Sequence, residues 1–324
     1  MSALDRIKQP IAEELDQFGH YFKGVLKTNV PLLNLVIRYL LKRKGKQMRP
    51  ILVFLTARLL GKPNASTRTA AALIEIMHTA SLIHDDVVDD SNERRGFFSI
   101  NAIWKSKVSV LLGDYLLARG LLLAVNDKEY EILELVSNAV KEMTEGELLQ
   151  IKNSRKLSIS KEEYYEIIQK KTAALLSCCS ASGAKSVGSS DEVVKLMHHF
   201  GELLGIAFQI KDDLLDYQIN SLTGKPSGND LKDRKLTLPL IHALEISQSS
   251  EKRKILHLLN KSAGNVQEFH EVLNFVKRND GLSYAEEKMQ EYAASALAIL
   301  DPFPDIEIKD SMRAFVEFTI LRNK

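Results

Sequence analysis

The sequence predicts an all-α protein, and three observations carry that expectation. Apolar residues recur at helical spacing along most of the chain, and no stretch alternates apolar and polar residues as a half-buried strand does. Prolines and glycines are few, at eight and sixteen in 324 residues, which favours long helices over short strands and tight turns. Apolar residues at 45% and charged residues at 27% suffice to fill a core and cover it, which argues against disorder. No linker-like tract divides the chain, so one domain spanning residues 1–324 is expected.

The elements follow in order. The N-terminus to Asp16 is polar and acidic, without the apolar core of a signal peptide. Leu32, Leu35, Val36, Tyr39 and Leu40 fall on one helical stripe before a basic run at 42–49. Pro50, whose missing N–H costs little at a helix start, precedes a helical segment from Ile51 to Leu60 that Gly61, Pro63 and Asn64 end. The next helix should run from about Ser66 to Asn92. Further helices are expected near 101–125, 129–150, 161–183, 191–217, 234–247, 251–260, 266–278, 282–299 and 308–321.

Val108–Val125 is the most apolar segment, but Asp114 and Arg119 interrupt it, so a buried core helix is expected there and no transmembrane segment. A cytoplasmic protein follows. The adjacent Cys178 and Cys179 form neither a disulfide framework nor a zinc site and should be small core residues. A net charge of +2 exerts no general pull on nucleic acid, so none is expected as a partner. The longest polar connection, from Gln218 to Lys235, carries Gly224, Pro226, Gly228 and four basic residues; such a loop in a helical protein is more often functional than decorative.

Chemistry concentrates in two matching segments, Leu82-Ile-His-Asp-Asp-Val-Val-Asp-Asp90 and Gln209-Ile-Lys-Asp-Asp-Leu-Leu-Asp-Tyr217. At about 100° per residue, Asp85, Asp86 and Asp89 share one helix face, as do Asp212, Asp213 and Asp216. Three like charges on one face repel one another. Both trios follow strongly apolar runs, where acids are costly unless they border a cavity. Cations relieve that cost, and Mg²⁺ suits oxygen ligands shared between carboxylates and substrate phosphates.

Metal-bridged phosphate remains anionic and needs fixed cations as well. Lys46 and Arg49 lie three apart at a helix start, and Arg94 and Arg95 follow the first trio by about one turn. His78 lies two turns before Asp85, Lys171-Thr172 opens an apolar stretch, and Lys225 and Lys235 flank or occupy the basic loop.

Taken together, these segments resemble the trans-isoprenyl diphosphate synthases, the polyprenyl synthetase family. The match runs in order from Gly45-Lys46…Arg49-Pro50 through the first aspartate motif with Arg94-Arg95-Gly96, then Gly113-Asp114 and Lys171-Thr172. It ends with Gln209…Asp212-Asp213…Asp216, Gly224-Lys225 and Asp233…Lys235. Lys44 and Gln47 depart from the family's usual Gly and Arg, but the cations at 46 and 49 remain.

The resemblance implies a single large helical bundle around a deep central cavity, usually a homodimer, with peripheral membrane contact for product release. It implies condensation of isopentenyl diphosphate with an allylic diphosphate. Asp85, Asp86 and Asp89 would bind two Mg²⁺, and Asp212, supported by Asp213 and Asp216, a third, bridged by substrate diphosphate. Arg94, Lys171, Thr172, Gln209, Lys225 and Lys235 would hold the allylic diphosphate; Lys46, Arg49, His78 and Arg95 would hold isopentenyl diphosphate. The departing diphosphate would take up the proton released at the end, so no protein base is expected.

Chain length is the remaining expectation. One turn before Asp85 stand Ala80 and Ser81, both small, where farnesyl-type relatives often carry an aromatic floor. Their size leaves the path open past Met77, Ile76 and Leu73, and each helical turn of about 5.4 Å matches roughly one isoprene unit. The expected product is longer than twenty carbons, serving as an octaprenyl-like quinone side chain; a twenty-carbon geranylgeranyl product and a regulatory subunit of a heteromeric synthase remain the alternatives. A helical metal phosphohydrolase would leave the second trio unexplained, and a terpene cyclase would have no use for the cations at 46 and 49. The C-terminal Arg322-Asn-Lys324 is either a closing tail or a solvated end.

Overall fold

The computed structural model describes residues 2–42, 45–94, 97–156, 159–217, 235–261, 266–304 and 306–322. The described residues are almost wholly helical: α1 (Ala3–Lys8), α2 (Ala12–Val25), α3 (Pro31–Lys42), α4 (Met48–Leu60), α5 (Ala65–Val88), α6 (Ile100–Asn126), α7 (Tyr130–Lys156), α8 (Lys161–Ile168), α9 (Ala174–Ser186) and α10 (Asp191–Asp216). They continue with α11 (Leu238–Ile246), α12 (Ser249–Lys261), α13 (Val266–Arg278), α14 (Gly281–Leu300) and α15 (Glu307–Leu321).

Two compact units emerge. The first comprises Met1–Asn138, Cys178–His198 and Asp305–Met312; the second comprises Ala139–Ser177, His199–Pro304 and Arg313–Lys324. In the first, Ile76, Ala80 and Ile83 of α5 pack with Leu112 and Leu116 of α6 and with Val36 and Ile37 of α3. In the second, Leu240 and Leu244 of α11 pack with Ile255 of α12 and Val272, Phe275 and Val276 of α13. Cys178 and Cys179 are buried and form no disulfide, and burial pushes the Cys179 thiol well above its usual pKa.

Four local features depart from the expected pattern. The acidic N-terminus forms α1 and α2, with Ser2 and Asp5 capping α1 reciprocally and Ile7, Ile11 and Phe18 buried. Helix α5 starts at an Asn64–Thr67 capping box but stops at Val88, short of Asn92, with Asp89 as its C-cap and Asp90 at a φ of 46°. A hairpin of two-residue strands, β1 (Glu93–Arg94) and β2 (Phe97–Phe98), follows; strands this short carry no readable alternation. The helix expected over 161–183 is interrupted by a π-helical turn at Gln169–Ala173, which carries Lys171 and Thr172.

Helix α6 kinks at Lys105, where φ is 68°. Only 33% of its most apolar window is buried, less than a core helix requires, and Val110, Leu111, Leu121, Leu122 and Val125 are exposed. It is long and apolar enough to cross a membrane, yet it carries Asp114 and Arg119, and the latter donates to the Val25 carbonyl at 2.7 Å.

Candidate active site

In the first unit, the C-terminal end of α5 sets the chemistry. Asp85 and Asp86 occupy the last helical turn and Asp89 caps it, its N–H donating to the Asp85 carbonyl at 2.8 Å. Asp86 is 4% exposed, Asp85 half-buried and Asp89 exposed. The C-terminal end of a helix already carries negative partial charge, so each carboxylate here is opposed by roughly 0.3–1 kcal/mol. The chain beyond is braced: the Ser91 N–H donates to the Asp86 carbonyl at 3.0 Å, and the Ser99 hydroxyl donates to the Ser91 carbonyl at 2.6 Å.

A cavity of about 390 Å³ opens beside this end, with Arg49, His78 and Asp86 on its lining and Ile37, Leu40, Ile83 and Leu116 among its apolar walls. Three residues singled out in the sequence thus meet on one cavity. Lys46 is exposed in the 45–47 link and does not line it. Arg94 is described by its backbone, which pairs with Phe97, while Arg95 lies outside the described residues.

The Gly113-Asp114 pair has a packing explanation. The His84 imidazole occupies the space a Cβ at Gly113 would need, and its Nε2 stands 3.5 Å from the Asp114 carboxylate. Along the proposed chain path, Ala80 is fully buried, Met77 is 5% exposed and Ser81 is half-buried; the 390 Å³ cavity touches Ile76 but none of these three.

In the second unit, Lys171, Thr172, Gln209, Asp213 and Lys235 line a cavity of about 110 Å³ together with Gln150, Tyr164 and Thr237. The Thr172 hydroxyl donates to Gln209 Oε1 at 2.7 Å, and Gln209 Nε2 donates to Asp213 Oδ1 at 3.0 Å. Lys171 Nζ donates to Gln150 Oε1 at 3.2 Å and pairs with Glu147. Close approach of backbone makes this possible: Gly146 of α7 faces the Lys171 backbone nitrogen, and a Cβ there would stand 2.6 Å from it. Tyr217, one residue after the trio, bonds Thr237 at 2.9 Å, next to Lys235. Lys225 lies outside the described residues.

Arg322 reaches this trio rather than solvent. Its guanidinium pairs with Asp212, donates to the Phe208 carbonyl at 3.4 Å and lies 3.9 Å over the Phe208 ring. Burial lowers its pKa, and the Asp212 carboxylate pulls in the opposite direction. Residues 323–324 lie outside the described residues.

The donor sets fit a hard divalent cation, since they are all oxygen and sit where helix ends already favour positive charge. Among the described residues, no group of three His, Cys, Asp or Glu side chains converges to hold a metal alone.

Sequence reasoning missed Tyr164, Gln150 and Glu147. Tyr164 stands seven residues before Lys171, a two-turn spacing that places it on the same helix side and could have flagged it. Nothing in the spacing of Gln150 and Glu147 links them to Lys171, because α7 meets it only through tertiary packing.

The polyprenyl synthetase family model matches residues 30–276. The chain is 31% identical to the octaprenyl diphosphate synthase of Haemophilus influenzae over 324 residues, covering 100% of this chain and 98% of that one. Among solved structures, it resembles a polyprenyl synthase from Caulobacter crescentus in complex with calcium and isoprenyl diphosphate, with a TM-score of 0.90, 32% identity, and coverage of 99% and 98%. It also resembles a geranylgeranyl pyrophosphate synthase from Bacteroides thetaiotaomicron, with a TM-score of 0.84, 39% identity, and coverage of 99% and 100%.

Proposed function

This chain belongs to the polyprenyl synthetase family and is a trans-prenyltransferase dependent on a divalent metal; we propose that it uses Mg²⁺ to join isopentenyl diphosphate to an allylic diphosphate, head to tail, and builds a product longer than twenty carbons for a quinone side chain. The observation that carries this reading is the meeting of Lys171, Thr172, Gln209, Asp213 and Lys235 on one small polar cavity.

Asp85, Asp86 and Asp89 would hold two Mg²⁺, and Asp212, with Asp213 and Asp216 in support, would hold a third; bound there, the cations would supply positive charge toward a departing diphosphate. Lys171, Thr172, Gln209 and Lys235, with Arg94 and Lys225, hold the allylic diphosphate. Arg49 and His78, with Lys46 and Arg95, hold isopentenyl diphosphate, while apolar walls such as Ile37, Ile83 and Leu116 exclude the water that would trap an allylic cation. The C–O bond of the allylic substrate breaks, the isopentenyl double bond attacks the cation, and the departing diphosphate takes the proton.

One polyprenyl synthetase domain spanning 1–324, a cytoplasmic location and a homodimer belong to the same proposal. The family model, which draws on residues of both units, supports the first. The exposed apolar residues of α6 support the homodimer, which sedimentation of the pure protein reads directly.

Long-chain relatives, including octaprenyl and nonaprenyl synthases, favour a product beyond twenty carbons; the 39% identity to a geranylgeranyl synthase favours a second reading, a twenty-carbon product. Incubation with Mg²⁺, labelled isopentenyl diphosphate and farnesyl diphosphate, followed by sizing of the prenols, decides between them. A ladder past twenty carbons supports the first, termination at twenty refutes it, and no incorporation moves the chain to a subunit role. Ala80→Phe should shorten the product. Because Ala80 is fully buried and a ring there overpacks the core, Ser81→Phe is the companion variant. If both folded variants leave product length unchanged, the small-residue argument is wrong.

A further inference from the structure

A hydrogen-bonded group in the second unit centres on Asp213, which is buried at 2% exposure beside Tyr164 at 4%. The Tyr164 hydroxyl donates to Asp213 Oδ2 at 2.7 Å, and Gln209 Nε2 donates to Oδ1 at 3.0 Å. A carboxylate only accepts, so the Gln209 atom facing it must be the nitrogen. Its amide oxygen therefore faces Thr172, whose hydroxyl donates to it at 2.7 Å. Proton positions are thus ordered outward from Asp213 through Gln209 to Thr172, beside Lys171.

We propose that Tyr164 is a positioning residue of this enzyme: its hydroxyl fixes the Asp213 carboxylate, and through it the Gln209 amide and the Thr172 hydroxyl that receive the allylic diphosphate. The proposal rests on the prenyltransferase reading above. Tyr164 belongs to α8, Thr172 to the π-turn and Asp213 to α10, so one hydroxyl ties three segments that each supply part of the polar cavity. Without it, a buried carboxylate oxygen loses a charge-assisted bond, and the orientation in which Asp213 receives the amide of Gln209 is held less firmly. The ring itself packs edge-on against Tyr165 at 5.4 Å, so removing the hydroxyl alone leaves that packing in place.

The test is Tyr164→Phe in the full-length enzyme. The KM for the allylic diphosphate should rise about tenfold, the size expected for a hydrogen bond to a charged group, while the KM for isopentenyl diphosphate stays within about twofold. Calorimetric titration with inorganic diphosphate and Mg²⁺ should show a similar loss of affinity. Adding Tyr164→Phe to Asp213→Ala, which leaves the hydroxyl no acceptor at position 213, should cost little further, because the hydroxyl acts through the carboxylate. Unchanged diphosphate affinity, equal losses for both substrates, or full additivity in the double variant would overturn the proposal. A wild-type protein that incorporates no isopentenyl diphosphate would instead defeat the reading beneath it.

Discussion

Gly146→Ala tests whether the site depends on the close approach of α7 to the π-turn. The new methyl group would stand 2.6 Å from the Lys171 backbone nitrogen and 3.0 Å from Lys170 Cβ and Lys171 Cα, where ordinary contact begins at 3.4 Å. The nearest contact is therefore about 0.8 Å too short (2.6 against 3.4), and the atom in the way is backbone, which cannot swing aside as a side-chain tip can. Overpacking of this kind costs about 1–3 kcal/mol. The better helix propensity of alanine returns about 0.5–1 kcal/mol. A net loss of about 1–2 kcal/mol corresponds to a fall in Tm of a few degrees.

The larger effect should fall on activity. Lys171 is held from α7 by Glu147 and Gln150, which follow Gly146 within about one turn, so relief of the clash moves the ammonium as well. A displacement near 1 Å at a positioning group can cost about a hundredfold in rate. The assay is kcat/KM for the allylic substrate at 25 °C, where the fold is intact, alongside a thermal melt. Gly24→Ala serves as control, since a Cβ there meets nothing within 4 Å; it should leave activity unchanged and not lower Tm. A Gly146→Ala protein with unchanged Tm and unchanged kcat/KM would refute the close-approach argument.

Two further predictions concern charge. Arg322→Gln removes the cation paired with Asp212, so Mn²⁺ titrated in the absence of substrate should bind about tenfold more tightly; equal or weaker binding would show that the guanidinium does not compete with metal. His242, stacked on Tyr284 at 3.9 Å and 3.1 Å from Lys161, has its pKa lowered below 6.5 by burial and by the lysine charge. The unfolded chain then takes up that proton at higher pH than the folded one, so its contribution to stability is full above about 6.5 and is lost as pH falls toward the lowered value. His242→Gln should flatten the Tm profile below pH 6.5, and an unchanged slope would count against this account.

Much of this was legible in the sequence, and the exceptions have identifiable causes. Helical periodicity located α10 and α13 to within a residue, because each buries one apolar stripe, whereas α7 runs six residues past its expected end and Leu32 and Leu35 of the α3 stripe are exposed. The repeated aspartate pattern and the Lys171-Thr172 pair were visible as chemistry at fixed spacing. The π-turn was not, since Gln-Lys-Lys-Thr-Ala contains no glycine or proline to mark it; what holds it is the packing of Gly146 and Gly205 against its backbone. The partial burial of α6 was equally hidden, because an apolar residue looks the same in sequence whether it fills a core or faces outward. Tyr164 read as one more aromatic on an amphipathic helix.

The two carboxylate trios share a property that spacing alone could not reveal. Asp85, Asp86 and Asp89 sit at the end of α5, and Asp212, Asp213 and Asp216 fill the last turn of α10, so both trios stand at helix C-termini. This is the least favourable end for negative charge, and each carboxylate there is opposed by roughly 0.3–1 kcal/mol in addition to repulsion from its neighbours. In the second trio, opposing partners are already in place: Arg322 on Asp212, and Tyr164 and Gln209 on Asp213. A helix end that repels its own side chains attracts cations through both backbone and carboxylates, and the aliphatic pairs inside each motif remain available for packing. The same reasoning gives the motif its direction: reversed to a helix N-terminus, the three acids would be comfortable without metal, and the drive to bind it would weaken.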